Sequence, residues 1–344
     1  PSVEHESKNT IENVGLFELS PFSKYEIKGN KAYEELQKLC TANIKNEIGK
    51  CTYTHMLNEG AGIETDLTVV CLKKNYFRII SSAAVRTHDK AHILKHLSKE
   101  LEFKDVTDDL ICFGIFGPKS RKLLSKVTNE NLSNEKFKYG TSKNIKLGSI
   151  DVWVQRLSYV GELGYELYVD KNEGKEIYNL ISNEGKNFAL THCGAHTMDT
   201  MRMESGFLHW GHDISPEENQ YQAGLNFAIS YKKPFDFIGK AKLIKIKDQK
   251  LDRRLVMFTL KNSKPGSPLL LHEEPIYLED KIIGKTTSGN YSFNYNKNLS
   301  FGYIKSNIPD EQLKDKRIYI EVEKKKHQAN LLLKPLKQND FKNK

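Results

Sequence analysis

The feature that most limits the fold is residues 53–70, where two apolar runs flank a short polar turn, Asn58-Glu59-Gly60-Ala61-Gly62. Such a pattern predicts a β-hairpin, with the two glycines as pivots because they take backbone angles that other residues resist. The returning strand opens with Asp66 and continues Leu67-Thr68-Val69-Val70. A carboxylate at the head of an otherwise apolar strand has two readings. It caps the turn by bonding a backbone N–H, or it projects into a cavity with a shifted pKa and acts on a ligand.

Strands and helices alternate on either side. Residues 76–82, 110–116, 150–155 and 163–169 read as strands. Residues 31–42, 89–101 and 174–183 read as helices, the second with Ala91, Leu94 and Leu97 on its buried face. Gly117-Pro118 opens a further short helix. Beyond about residue 250 only short strands and turns remain, which predicts a small β domain over residues 250–335. The fold class is therefore α+β. The Lys-rich tail from Pro335 is expected to fray.

At 344 residues the chain can bury two or three cores. No apolar run approaches the roughly 20 residues that cross a bilayer, so no membrane partner is expected. The net charge of +9 comes from 53 basic residues scattered among 44 acidic ones. That describes a solvated surface, not a nucleic-acid stripe. The five cysteines form no Cys-x-x-Cys pair. Zinc and a disulfide framework are disfavoured, and a cytoplasmic location with reduced thiols is the simpler account. Gly284-Lys285-Thr286 lacks the upstream glycine of a phosphate loop, and Gly161 and Gly164 make no dinucleotide fingerprint.

Three further segments carry candidate chemistry. In the strand at 163–169, Leu163, Tyr165, Leu167 and Val169 share a core face, whereas Glu162, Gly164, Glu166 and Tyr168 share the other. That second face is either an acidic solvent face or one where Gly164 lets a flat ligand approach beside Glu166. In Thr197 to Gly206, Arg202 and Glu204 point to opposite sides of a helix, each toward a ligand or an internal partner. His209 and His212 invite a metal reading, but Gly206 and Gly211 break the helix that would align them. No metal is expected, and both histidines are assigned to packing around Trp210.

Taken in order, these segments resemble the folate-dependent aminomethyltransferase family of the glycine-cleavage T-protein. The matching residues are Met56-Leu57-Asn58, Gly62-Ile63, Asp66-Leu67, Gly117-Pro118, Tyr159, Gly161-Glu162 and Gly164-Tyr165-Glu166. Asp199, Arg202, Glu204, Gly206, Ala223-Gly224-Leu225, Phe237-Ile238-Gly239-Lys240 and Thr287-Ser288-Gly289 continue the match. Within the family the likeness is to the C-terminal folate half of dimethylglycine and sarcosine dehydrogenases, carried by residues 14–20, 62–66 and 209–213. Thr65 stands where the T-protein pattern has aspartate and Ser82 where it has asparagine, so a lipoyl-protein partner is not expected.

The resemblance implies a three-domain, cloverleaf-like fold, with two interleaved α+β subdomains over residues 1–245 and the C-terminal β-barrel. It implies tetrahydrofolate in a central channel, Asp66 as the catalytic carboxylate, which either accepts a folate nitrogen's proton or steadies the positive charge as it develops, and binding by Tyr53, Met56, Leu57, Asp66, Ser82, Tyr159, Glu166, Arg202 and Glu204. The substrates would be a folate and a small N-methyl amine. The chain would be half of a larger enzyme whose upstream flavin domain carries FAD. A stand-alone aminomethyltransferase or demethylase is the alternative. A non-catalytic folate-binding protein is disfavoured, because only Gly49-Lys50-Cys51-Thr52-Tyr53 lies near that group's motif, in the wrong place and order.

Overall fold

The computed structural model describes residues 2–315, 317–338 and 340–343. Its first elements are α1 (Ser2–Glu12), β1 (Val14–Glu18), β2 (Ser23–Lys28), α2 (Ala32–Leu39), β3 (Cys51–Leu57), β4 (Ile63–Lys73) and β5 (Tyr76–Ser81). Next come α3 (Arg86–His96), β6 (Glu102–Asp105), β7 (Leu110–Phe116), α4 (Ser120–Leu124), β8 (Ser142–Leu147), β9 (Ile150–Gln155) and β10 (Gly164–Asp170). α5 (Gly174–Gly185), β11 (Leu190–Cys193), α6 (Ala195–Glu204) and α7 (Lys240–Lys247) complete this region. The last part holds β12 (Arg253–Leu260), β13 (Pro275–Leu278), β14 (Lys281–Ser292), β15 (Lys297–Lys305), α8 (Asp310–Asp315), β16 (Ile318–Val322) and β17 (Lys325–Leu332).

These strands make three sheets. One has five strands in the order β3-β4-β5-β2-β6, and a second has six in the order β11-β1-β7-β10-β9-β8. The remaining six close a barrel, β12-β15-β14-β13-β16-β17. The first two sheets interleave, because β1 runs between β7 and β11 while β2, next in the chain, joins the other sheet. Their outer faces pack on helices: Leu67, Val69, Phe77 and Ile79 against Leu36 and Leu39 of α2, and Val152, Val154, Tyr165 and Leu167 against Ile177 and Ile181 of α5. Their inner faces meet over Phe17, Cys112, Phe116 and Tyr168 on one side and Ile80 on the other. Burying each large apolar side chain there contributes about 1.5–3 kcal/mol.

The barrel is held to α6 by polar contacts. Arg202 Nη2 donates to Ser288 Oγ of β14 at 2.9 Å, and Nη1 donates at 2.6 Å to Oδ2 of Asp213, a loop residue whose Oδ1 accepts the Thr287 hydroxyl of β14 at 2.6 Å. Ser292 Oγ and Asn294 Nδ2 donate to the two oxygens of Glu204, at 2.7 and 2.9 Å. The other end of α6 is capped by α1, whose Glu6 accepts the Gly194 N–H at 2.9 Å.

Four expectations need correcting. The left-handed residue of the β3–β4 turn is Ala61 (φ 68°), not a glycine. Gly62 is required instead by proximity, since a Cβ there would lie 1.9 Å from the Pro216 carbonyl oxygen. The buried face of α3 carries Asp89 and Ile93, and Leu94 is exposed, because the helix spans 86–96 and turns that face to the sheet. α1 has no signature in the sequence pattern, as its buried residues are Ser7 and Thr10, which give no apolar periodicity. The tail is anchored: Lys337 N–H donates to the Glu204 carbonyl at 2.9 Å, and Phe341 is 1% exposed, edge-on to Tyr139 and Phe207.

Candidate active site

β3 supplies one side of the candidate site. Strand alternation puts Cys51, Tyr53 and His55 on its inner face, and the β3–β4 register sets His55 directly opposite Asp66. Asp66 keeps 16% of its side-chain area accessible while Oδ1 is buried without a hydrogen-bond partner, 3.8 Å from His55 Nε2. Burial pushes its pKa up to about 7, an effect that Asp89 on α3 reinforces and the Tyr53 hydroxyl, acting as a donor, opposes. His55 is fully buried, which pushes it down to about 3, so the 3.8 Å approach is not an ion pair at neutral pH. Tyr53 is 38% exposed and stacks on Phe227 with ring centroids 6.1 Å apart.

β10 supplies the facing wall. Glu166 lies opposite Gly114 of β7 and Gln155 of β9, and its Oε2 accepts the Tyr168 hydroxyl at 2.9 Å. Burial raises its pKa to about 7. This carboxyl acts electrostatically on Cys51, at the far end of the β3 face that carries His55. Cys51 and His55 are four residues apart, about 13 Å along a strand, so Glu166 lies by the end of β3 away from Asp66. Arg78 of β5, paired with Glu26, places its guanidinium 5.7 Å from the Tyr168 ring and ties the walls together.

The second face of β10 is thus interior, not an acidic solvent face. Gly164 does not clear space for a ligand either: a Cβ there would lie 2.5 Å from the Phe116 ring and 2.7 Å from the Leu157 carbonyl. Beside Glu166 both amide atoms of Gln155, and the indole N–H of Trp153 one pair further along, are buried without partners. The third part of the site is Tyr159, whose hydroxyl donates to the Leu208 carbonyl at 2.7 Å and whose ring stacks on Phe207. Asp66 and Tyr53 both lie within electrostatic range of it.

The other expected residues fall elsewhere. Met56 and Leu57 are fully buried in two separate cores, packed among apolar side chains. Ser82 follows β5, and its carbonyl accepts the Ser23 hydroxyl at 3.0 Å. Arg202 and Glu204 take internal partners. Arg202 also donates to Asp199 at 2.9 Å and to the Phe207 carbonyl at 3.0 Å, which occupies most of its N–H groups. The rings of His209 and His212 lie 4.6 Å apart, and Trp210 donates to the Ile63 carbonyl at 3.0 Å. Sequence reasoning misses His55 and Gln220, which join Asp66 and Tyr53, although alternation from Tyr53 already places His55 on the same face.

Residues 1–233 match the GCVT N-terminal domain family and residues 253–337 match the Glycine cleavage T-protein C-terminal barrel domain. The chain belongs to the glycine-cleavage T-protein family. It is similar to mitochondrial dimethylglycine dehydrogenase of Rattus norvegicus, 33% identical over 334 residues that cover 96% of this chain and 38% of that protein. A 4-methylaminobutanoate oxidase (formaldehyde-forming) of Paenarthrobacter nicotinovorans is 37% identical over 84% of the chain and 35% of its own length. The chain therefore spans little more than a third of these relatives. An aminomethyltransferase of Halothermothrix orenii is 32% identical over 88% of the chain and 84% of its own length. The fold matches the crystal structure of glycine cleavage system aminomethyltransferase T from Bartonella henselae with a TM-score of 0.84, over 97% of this chain and 89% of that one at 22% identity. The resemblance and the α+β fold with its terminal barrel thus hold from end to end.

Proposed function

We propose that this chain binds tetrahydrofolate between the two sheets and transfers a one-carbon unit to it, forming methylenetetrahydrofolate from the iminium of an oxidised N-methyl amine. The observation that carries this reading is a pair of largely buried carboxyls on different sheets, Asp66 beside Tyr53 and Glu166 beside Gln155, both held near pH 7 by burial, in a chain of the T-protein family. The residues fit a reduced pterin, whose edge of ring N–H and amino groups needs a carboxylate acceptor and neighbouring polar atoms. Glu166 supplies the first, and the unpartnered amide of Gln155 beside it the second. Tyr53 and Tyr159 provide aromatic walls.

Bound tetrahydrofolate supplies the nucleophilic nitrogens that take up the carbon. The Asp66 carboxylate accepts in turn the proton that each of the two nitrogens sheds and returns it toward the amine, which departs as its ammonium ion, so the protein ends as it began. A group that titrates near 7 suits both halves of that exchange. Its unpartnered Oδ1 is available for the proton. The amine-oxidising step and its FAD belong, on this reading, to a flavin domain like that of dimethylglycine dehydrogenase. The five unpaired cysteines among the described residues accord with a reducing, cytoplasmic setting. A stand-alone aminomethyltransferase is the second reading, favoured by the Halothermothrix orenii relative, most of whose length the chain covers.

Titration of the purified chain with tetrahydrofolate tests the proposal. Wild type and Asp66→Asn should bind, and Glu166→Gln should bind weakly. Equal binding by all three, or none by wild type, would remove it. An aminomethyl-loaded carrier protein that serves as donor in place of an oxidised N-methyl amine would select the second reading.

A further inference from the structure

His55 is a fully buried imidazole beside Asp66, and its surroundings decide which nitrogen carries its proton. Gln220 Nε2 lies 2.8 Å from His55 Nδ1 and 3.1 Å from Thr41 Oγ1. The Thr41 hydroxyl is already committed as donor to the Ala228 carbonyl at 3.0 Å, so its oxygen receives from Gln220. The same NH2 group therefore donates its other hydrogen to Nδ1. A neutral imidazole that accepts at Nδ1 must carry its hydrogen on Nε2. Nε2 lies 3.1 Å from the Tyr53 hydroxyl and 3.8 Å from Asp66 Oδ1. With its lone pair taken by that N–H, the phenol has its own hydrogen left to offer across the strand pair.

We propose that His55 is a positioning residue, held by Gln220, whose Nε2–H turns the Tyr53 hydroxyl so that its proton is donated to the Asp66 carboxyl. The chain Gln220–His55–Tyr53–Asp66 thus runs in one direction: its first two links measure 2.8 and 3.1 Å, and the third follows from the Tyr53 hydroxyl and the Asp66 carboxyl flanking the same Nε2, at 3.1 and 3.8 Å. It deepens the proposed function by naming what tunes Asp66, and rests on that reading only for its effect on turnover. Other groups that face Asp66 cannot replace it. Asp89 on α3, paired with His88, repels the charged carboxylate, and the Tyr159 hydroxyl is committed to the Leu208 carbonyl. Arg202 acts on Tyr159 and is itself paired with Asp199 and Asp213. Loss of His55 frees the Tyr53 hydroxyl to rotate, and the carboxylate loses a donor.

The test is a 13C NMR titration of aspartate carboxyls in the full chain without folate, with the Asp66 signal assigned by its absence in Asp66→Asn. His55→Leu should raise the Asp66 pKa by about a half to one pH unit, the worth of one hydrogen bond, and move the acid limb of kcat/KM by as much. Tyr53→Phe should give a shift of the same size, and the double variant no more than either alone. His55→Gln keeps an N–H near the Nε2 position and should restore the wild-type value. If His55→Leu does not fold, Tyr53→Phe and His55→Gln decide between them. Unchanged Asp66 titration in His55→Leu or Tyr53→Phe, a His55→Gln value that departs from wild type, or shifts that add in the double variant would overturn the relay. A shift without any folate-dependent turnover would leave the relay standing and remove the proposed function.

Discussion

Replacing Asp66 with Asn should make the protein more stable and nearly inactive. The ordinary carboxyl pKa of 3.8 rises to about 7 in the folded chain, roughly three pH units, and each unit is worth about 1.4 kcal/mol. The sign follows from proton binding. Between those two values the folded state holds a proton that the unfolded state has released, so stability falls as pH rises through the window and the full penalty remains above it. The ceiling is about 4 kcal/mol. Since 16% of the side chain meets solvent, screening reduces this to about 2 kcal/mol, a rise of a few degrees in Tm for a chain of this length. Asn carries no titrating proton, so the Tm difference between Asp66→Asn and wild type, read by calorimetry, should widen from about pH 5 to about pH 8. Tetrahydrofolate should still bind, while methylenetetrahydrofolate formation, assayed with an N-methyl amine and a flavin partner, falls about a hundredfold or more. A variant that loses several degrees yet turns over near the wild-type rate would show Asp66 to be a turn cap and refute the reasoning.

Glu166→Gln should raise the tetrahydrofolate Kd with little effect on the saturated rate, and a fall in kcat at unchanged Kd would contradict its place as pterin acceptor. Arg202→Met leaves Asp213 buried without its cation and should cost about 3–5 kcal/mol in denaturant unfolding, whereas a near-neutral result would show that the joint with the barrel does not depend on that pair. Phe341→Ala should cost about 3 kcal/mol or more, because the ring is buried against Tyr139 and Phe207, and a loss within measurement error would mean that the tail is not anchored in solution. Gly62→Ala should impair folding, since the Pro216 carbonyl occupies the place of the new methyl, while Gly60→Ala, whose nearest neighbour is 3.1 Å away, should be tolerated.

Strands with plain periodicity are legible in the amino-acid order alone. Residues 110–116 are apolar on both faces, residues 150–155 alternate Ile150, Val152 and Val154 with Asp151, Trp153 and Gln155, and the change of texture near residue 250 marks the barrel. What local pattern does not reveal is structure whose cause is not apolar. α1 buries Ser7 and Thr10, so only its packing partners make it a helix. α3 turns a fully buried aspartate inward, against every hydropathy rule. In the candidate site, alternation is enough to bring Tyr53 to the face that Asp66 uses, but Gln220 reaches His55 across 165 residues of sequence, a meeting that no local pattern records. Arg202 and Glu204 illustrate the converse, since their chemistry suits a ligand and their positions give them protein partners.

The swap of β1 and β2 between sheets sets a timetable for synthesis. The chain has delivered every strand of the five-stranded sheet once Asp105 emerges, and that sheet can close from local pieces. β1 must wait. Its antiparallel neighbour ends at Phe116 and its parallel neighbour at Cys193, so at ribosomal speed Leu16 and Phe17 go without their full cover for roughly ten to thirty seconds. Two substitutions of equal equilibrium cost are then unequal in the cell. One in β4 weakens a sheet already formed, whereas one in β11 prolongs the interval in which the first strand of the other sheet is open to wrong partners.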